Sequence, residues 1–230
     1  MPDLSEEAAL RARFALAEDA PIVGLDEAGR GPCAGPVVAA AAVLRPDGLA
    51  PDLAAAVDDS KALSATTRAD LFAALTAPGA LAGFAVAQAS VEEIDRLNIL
   101  QASMLAMRRA LEALAEPPSA ALVDGNADPR LGLPTALVVK GDGRSLSIAA
   151  ASILAKVARD RIMGELARAH PGYGWETNQG YGAKAHLEAI RTLGVTVHHR
   201  RSFAPVRARL QMALDIESQS AVETLHIVKS

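Results

Sequence analysis

Apolar residues follow two rhythms along this chain. Short, nearly unbroken apolar runs read as core strands: IVGLD at 22–26, PVVAAAAVL at 36–44, ALAGFAVAQAS at 80–90, ALVDGN at 121–126 and TALVVKGD at 135–142. Between and after them the period lengthens. Ile94, Leu97, Met104, Met107, Leu111 and Leu114 fall on one helix face behind a Ser90/Glu93 capping-box signature, and Pro117-Pro118 stops that helix. The alanine-rich stretch 147–170 predicts a long helix whose small face, Ile148, Ser152, Ala155, Ala158, Ile162 and Leu166, permits close backbone approach. His170-Pro171 marks its end. A short helix is expected at 3–18, another at 183–193, and a mixed helical and polar tail at 206–230. The glycine-rich stretch after Asp26 reads as a hairpin between the first two strands. Three strands, a helix, a strand, then a strand and helix predict a mixed α/β sheet.

Composition narrows the class. The chain has 230 residues, 50% hydrophobic and 22% charged, enough for one sizeable core. No long apolar run reads as a membrane span, and the acidic N-terminus lacks the pattern of a secretory signal. Cys33 is the sole cysteine, which excludes an internal disulfide framework and fits a reducing compartment. The expectation is a soluble, cytoplasmic protein. A net charge of -4 argues against a generic nucleic-acid coat. Residues 184–209, however, gather Lys184, Arg191, Arg200, Arg201, Arg207 and Arg209 against Glu188 alone. That run reads either as a face for a phosphate backbone or as an ordinary solvated surface.

Three of the apolar runs deliver carboxylates at their ends: Asp26 with Glu27, Asp124, and Asp142. Ligands collect at the carboxyl ends of parallel strands, so these four acids are candidates to converge. Together they would repel one another unless a divalent cation joined them, and hard oxygen ligands suit Mg2+ or Mn2+. Zinc is disfavoured, because Cys33 is alone and His198-His199 lack a partner set. Taken singly, each aspartate is equally a turn former. Adjacent strand residues also face opposite ways, so Glu27 joins Asp26 only if the strand ends or twists there. Arg30, between Gly29 and Gly31, presents a guanidinium fork and bare amides suited to a phosphate or a sugar hydroxyl. By itself that segment also reads as a plain hairpin.

The motifs GLDEAGRGPCAGPVVAAA, DDSKALS at 58–64, the IDRLNIL region, LVDGN, KGDGRSLSIAAASILAKVARD, HPGYGWETNQGYGAKAH and HHRRSFAPVR resemble those of bacterial ribonuclease HII, in order and spacing, across roughly residues 21–209. The resemblance implies a ribonuclease H-like fold with a mixed five-stranded sheet flanked by helices. It also implies a peripheral segment at 1–20, a catalytic core at 21–171 and a small helical substrate-binding region at 172–230. The family's metal-binding acids correspond to Asp26, Glu27, Asp124 and Asp142. Its ribonucleotide-reading segment corresponds to Gly29, Arg30 and Gly31, its sugar-packing tyrosine to Tyr181, and its phosphate-neighbouring lysine to Lys61. Ala183 departs from the threonine common at its position.

The implied activity is cleavage of RNA in RNA/DNA hybrids and at ribonucleotides embedded in duplex DNA. The cut falls 5' of the ribonucleotide and leaves 3'-hydroxyl and 5'-phosphate ends, with two divalent ions flanking the phosphate. A monomer is expected, with contact to a replication clamp as a possible addition. Two alternatives stay open: a carboxylate-metal DNA nuclease of the same fold, and a non-catalytic nucleic-acid-binding module. Other residues have structural readings. Trp175 and Tyr173 suit a local core, Cys33 suits packing, and Ser145, Ser147 and Ser152 suit helix start or packing. Asp160 suits local pairing with Lys156, Arg159 or Arg161. His186 and His198 are expected at the surface or near phosphate. His199, Arg200 and Arg201 are expected to hold DNA or to form salt bridges.

Overall fold

A computed structural model describes residues 1–57 and 63–227, with side chains through residue 215. Its elements are, in chain order, α1 (Ser5–Phe14), β1 (Ile22–Ala28), β2 (Val37–Val43), α2 (Pro51–Ala56), α3 (Ala65–Leu75), β3 (Gly83–Ala89), α4 (Val91–Leu97), α5 (Ile99–Glu112), β4 (Ala120–Asp124), β5 (Thr135–Val138), α6 (Leu146–Ala169), α7 (Trp175–Asn178), α8 (Lys184–Leu193) and α9 (Ala204–Ile227). The strands form one sheet in the order β3-β2-β1-β4-β5. The β1-β2 and β2-β3 pairs are antiparallel, and β1-β4 and β4-β5 are parallel. The expected mixed five-stranded sheet is present.

Alternation along β1 and β2 divides the core in two. Val23, Leu25, Val37, Ala39, Ala41 and Val43 pack against Met104, Met107 and Ala110 of α5. Ala40 and Ala42 meet Leu146, Ala150, Ile153 and Leu154 of α6, with Leu71 and Leu75 of α3 alongside. Contact with α6 is closest at Gly24, where a Cβ would stand 2.2 Å from the Ser147 carbonyl carbon and 2.4 Å from the Ile148 nitrogen. No larger residue fits beneath that helix.

Several expectations are corrected. The helix expected to run unbroken past Leu97 divides at Asn98, whose φ is 69°. Asparagine tolerates that conformation, and its Oδ1 accepts the Gln101 N–H at 3.1 Å, so the residue that ends α4 caps α5. The run 135–142 is strand only to Val138. Lys140 turns into the left-handed region at φ 56°, and Asp142 sits in a 3-10 turn at Gly141–Gly143 rather than at a strand end. The face expected along α6 holds only for its first half. Residues 146–155 are buried all round, and beyond them Arg159, Met163 and Ala167 face inward in place of Ala158 and Ile162, with Leu166 partly buried beside them. That later face joins Cys33, Ala34, Tyr173, Trp175, Ile190 and Val206 in a separate core. Helices α2 and α3 lie where no element was expected. Ser64 starts α3 by accepting the Thr67 N–H at 3.0 Å.

Candidate active site

β1 and β4 pair from Ile22↔Ala120 to Leu25↔Val123 and then part. The notch beyond Val123 opens into a cleft of about 350 Å3 lined by Asp26, Glu27, Gly29, Arg30, Gly31, Asp124, Ser152, Lys156, Arg159 and Tyr181. This arrangement resolves how neighbouring residues share a site. β1 continues to Ala28, paired with β2 only, and both Asp26 and Glu27 line the cleft there. Asp26 lies on the α6 face and takes a hydrogen bond from Ser152. Its Oδ1 accepts the Glu27 N–H at 2.7 Å.

The carboxylates crowd one another. Burial, then Glu27 and Asp124, push Asp26 well above its ordinary value of 3.8. Burial also raises Glu27, against the pull of Arg30, whose Nη1 is 3.1 Å from Glu27 Oε1. The other oxygen, Glu27 Oε2, is buried without a hydrogen-bond partner. Asp124 Oδ1 accepts the Gly141 N–H at 2.7 Å, which ties the next turn to the cleft. Asp142, on that turn, is buried beside the cleft but is not among the residues lining it. Among the described residues, no three Asp, Glu, His or Cys side chains form a preassembled metal cage. The donor set nonetheless fits a hard divalent cation: its oxygens are crowded, protonated more readily than usual, and in one case unpartnered.

The segment after Asp26 is braced from behind by two buried arginines. Arg200 donates to the carbonyl oxygens of Gly29 at 2.6 Å, Gly35 at 2.9 Å, Arg30 at 3.0 Å and Pro36 at 3.1 Å. Arg159 donates to Gln179 at 3.1 Å, Pro36 at 3.2 Å and Ala34 at 3.3 Å. A Cβ at Gly29, whose φ is 97°, would lie 2.0 Å from Arg159 Nε. Backbone bonds add to the brace: Cys33 N–H to Gly180 O at 2.8 Å, Arg200 N–H to Cys33 O at 2.8 Å and Gly35 N–H to His198 O at 2.9 Å. The expected hairpin is present, and its long loop is held by residues 179–180 and 198–200. Tyr181, half exposed, closes the far wall, with its Cε1 3.2 Å from a Cβ built on Gly31.

The structure thus brings Asp26, Glu27, Asp124, Gly29, Arg30, Gly31 and Tyr181 together. Lys61 lies outside the described residues. Three lining residues were not anticipated. Ser152 was read as packing, and Lys156 and Arg159 as partners of Asp160. Their i, i+4, i+7 spacing places three polar side chains along one face of the helix, and that was the signal available. Lys156 does pair with Asp160, and Arg68 stands 3.9 Å from the same carboxylate. The expectations for His186, His199 and Arg200 are overturned. All three are buried, so Arg200 reaches no DNA and meets backbone carbonyls rather than a salt-bridge partner. Inside, Arg200 meets the carbonyls of residues 29–36, and His186 lies between Trp175, the Tyr181 carbonyl and His199. Trp175 and Cys33 are buried packing, as expected.

The mixed sheet has the ribonuclease H-like fold, and its similarity to known proteins puts the chain among metal-dependent endonucleases. The model of the family Ribonuclease HII matches residues 23–206, and the chain belongs to that family. It is 59% identical to a ribonuclease HII of Paramagnetospirillum magneticum, over 80% of this chain and 90% of the relative. It is 58% identical to one of Rhodospirillum rubrum, over 91% and 92%. Among solved structures it resembles the ribonuclease H2 of Pyrococcus horikoshii, at 28% identity and a TM-score of 0.71, covering 84% of this chain and 98% of the other. It also resembles the ribonuclease HII of Archaeoglobus fulgidus solved in complex with PCNA, at 25% identity and a TM-score of 0.62, covering 80% and 95%. Of the readings the sequence left open, family membership decides for an endoribonuclease acting on RNA/DNA hybrids. No described helix is long and apolar enough to cross a membrane.

Proposed function

We propose that the cleft cuts the phosphodiester 5' of a ribonucleotide, in hybrids and in duplex DNA containing single ribonucleotides, leaving 3'-hydroxyl and 5'-phosphate ends. The observation that carries this reading is the meeting of Asp26, Glu27 and Asp124 with Gly29–Gly31 and Tyr181 in one cleft. Asp26, Glu27 and Asp124 would hold Mg2+ or Mn2+, with Asp142 contributing from the adjoining turn. Divalent cations there would neutralise phosphate charge and activate water for in-line attack.

The remaining work falls to the chain itself. Because Arg200 takes the carbonyls of Gly29 and Arg30, the trans peptide planes turn the N–H groups of Arg30 and Gly31 the opposite way. Those amides, rather than the carbonyls, are free to meet a 2'-hydroxyl and its phosphate, which is how RNA is told from DNA at one position. The Arg30 guanidinium and the Lys156 ammonium supply positive charge for the flanking backbone. Tyr181 packs on the next sugar. Lys61 is assigned to a neighbouring phosphate on the resemblance alone. Monomeric action and clamp contact through the C-terminal helix complete the reading.

The deciding assay uses two duplexes, one all DNA and one carrying a single ribonucleotide, each incubated with Mg2+ or Mn2+. Cleavage of the second alone, 5' of the ribonucleotide, is expected. Chelator should stop it, and Asp26→Asn or Asp124→Asn should abolish it. Equal cleavage of both duplexes would overturn the assignment of Gly29–Gly31 and Tyr181.

A further inference from the structure

Behind Tyr181 lies a chain of hydrogen bonds whose direction can be read from its two ends. The Trp175 indole can only donate, and its Nε1 lies 2.9 Å from His186 Nε2, so that nitrogen is an acceptor. The proton of neutral His186 is therefore on Nδ1, which sits 2.7 Å from the Tyr181 carbonyl oxygen and donates to it. At the other end, the Thr196 amide N–H, also an obligate donor, lies 3.0 Å from His199 Nδ1. The His199 proton is thus on Nε2, 3.2 Å from His186 Nε2, whose single lone pair it shares with the shorter bond from Trp175. Two one-way donors fix both tautomers. Burial lowers the pKa of both imidazoles, His199 to about 4, which favours the neutral rings.

The chain ends on the backbone of the residue that forms the cleft wall. Gln179 and Gly180, just before Tyr181, both have positive φ, and the Tyr181 N–H donates to Asn178 O at 2.8 Å. His186 and Ala183 N–H grip the carbonyl on the other side of the same residue. The ring itself is half exposed, and its Cε1 would stand 3.2 Å from a Cβ built on Gly31. Its main chain is held on both sides.

We propose that His186 is a positioning residue for Tyr181: its Nδ1–H, aligned by Trp175 and His199, sets the tyrosine ring over Gly31 and so sets discrimination at an isolated ribonucleotide. This inference rests on the reading of Tyr181 as a substrate contact. It predicts different behaviour for two conservative replacements. The amide nitrogen of asparagine falls near the place of Nδ1 and retains the bond to Tyr181, while glutamine reaches the Nε2 position and serves Trp175 instead. Each loses one buried partner, so stability alone does not separate them.

On a duplex with a single ribonucleotide, His186→Gln should lower kcat/KM by about tenfold, the scale of one hydrogen bond. His186→Asn should stay within about twofold of the parent. Tyr181→Ala serves as the reference and should fall at least as far as His186→Gln. Parent-like cleavage by Tyr181→Ala would overturn the reading of the tyrosine. An impaired Tyr181→Ala together with equal values for the two His186 variants would overturn the positioning role. If a variant does not fold, nitrogen-15 NMR of the unaltered protein decides: a proton on His186 Nδ1 supports the proposal, and a proton on Nε2 overturns it.

Discussion

A carboxyl group buried beside two others resists losing its proton, and Asp26 is so placed. A raised folded pKa means the stabilising contribution is fully present below the unfolded value, near pH 4, and is lost as pH rises through the folded value. Metal-free protein should therefore be penalised at neutral pH for keeping Asp26 and Glu27. In chelator, Asp26→Asn is expected to melt at a higher temperature than the parent at pH 7.5, with the gap closing towards pH 4. A lower or equal melting temperature at neutral pH would contradict the crowding. Arg200 presents the converse case. Burial brings its pKa down to about 9, yet four carbonyls fasten it in place. Arg200→Lys keeps the charge but lacks a planar fork to reach four oxygens. It should cost about 3 kcal/mol in denaturant titration, on the scale of a broken buried charge contact.

Between elements, tolerance is set by where two backbones touch. α6 crosses β1 at Gly24 with no room for a methyl group, so Gly24→Ala should push the helix off the sheet and leave little soluble, cooperatively melting protein. The same helix is held at its start by α1. Glu7, buried, accepts Ser145 Oγ at 2.7 Å, Ser147 Oγ at 2.7 Å and the Ser147 N–H at 3.0 Å. Strand and helix placement was legible because apolar runs and the 90–93 capping box act locally, and that box is present. Asn98 was not legible as a break, since an asparagine within a continuing apolar period gives no warning that its backbone will invert. Asp142 read as a strand end because Val139 prolongs the apolar run, whereas Lys140 in fact begins a turn. Asp26 and Asp124 were legible as neighbours from their strand endings. Ser152, Lys156 and Arg159 were not, because a helix face is chosen by what packs on it, and α6 meets different partners along its length.

Across the whole molecule, two sets of titrating groups oppose each other. His186 and His199 have lowered pKa values, chiefly through burial, so their contribution is present above about pH 6.5 and is lost as pH falls towards 4. Asp26 runs the other way. With Asp26→Asn removing that counterweight, denaturant-measured stability should decline steadily from pH 6.5 to 4, and a flat profile would show that the imidazoles are not buried neutral. The braced loop has a consequence for how the protein is made. Residues 29–36 leave the ribosome early, but the groups that clamp them, Arg159, Gly180, His198 and Arg200, follow more than a hundred positions later. A nascent polypeptide would carry Asp26, Glu27 and Asp124 long before it could shape the segment proposed to choose the scissile bond. Competence to cut would arrive only after Arg200 has been added.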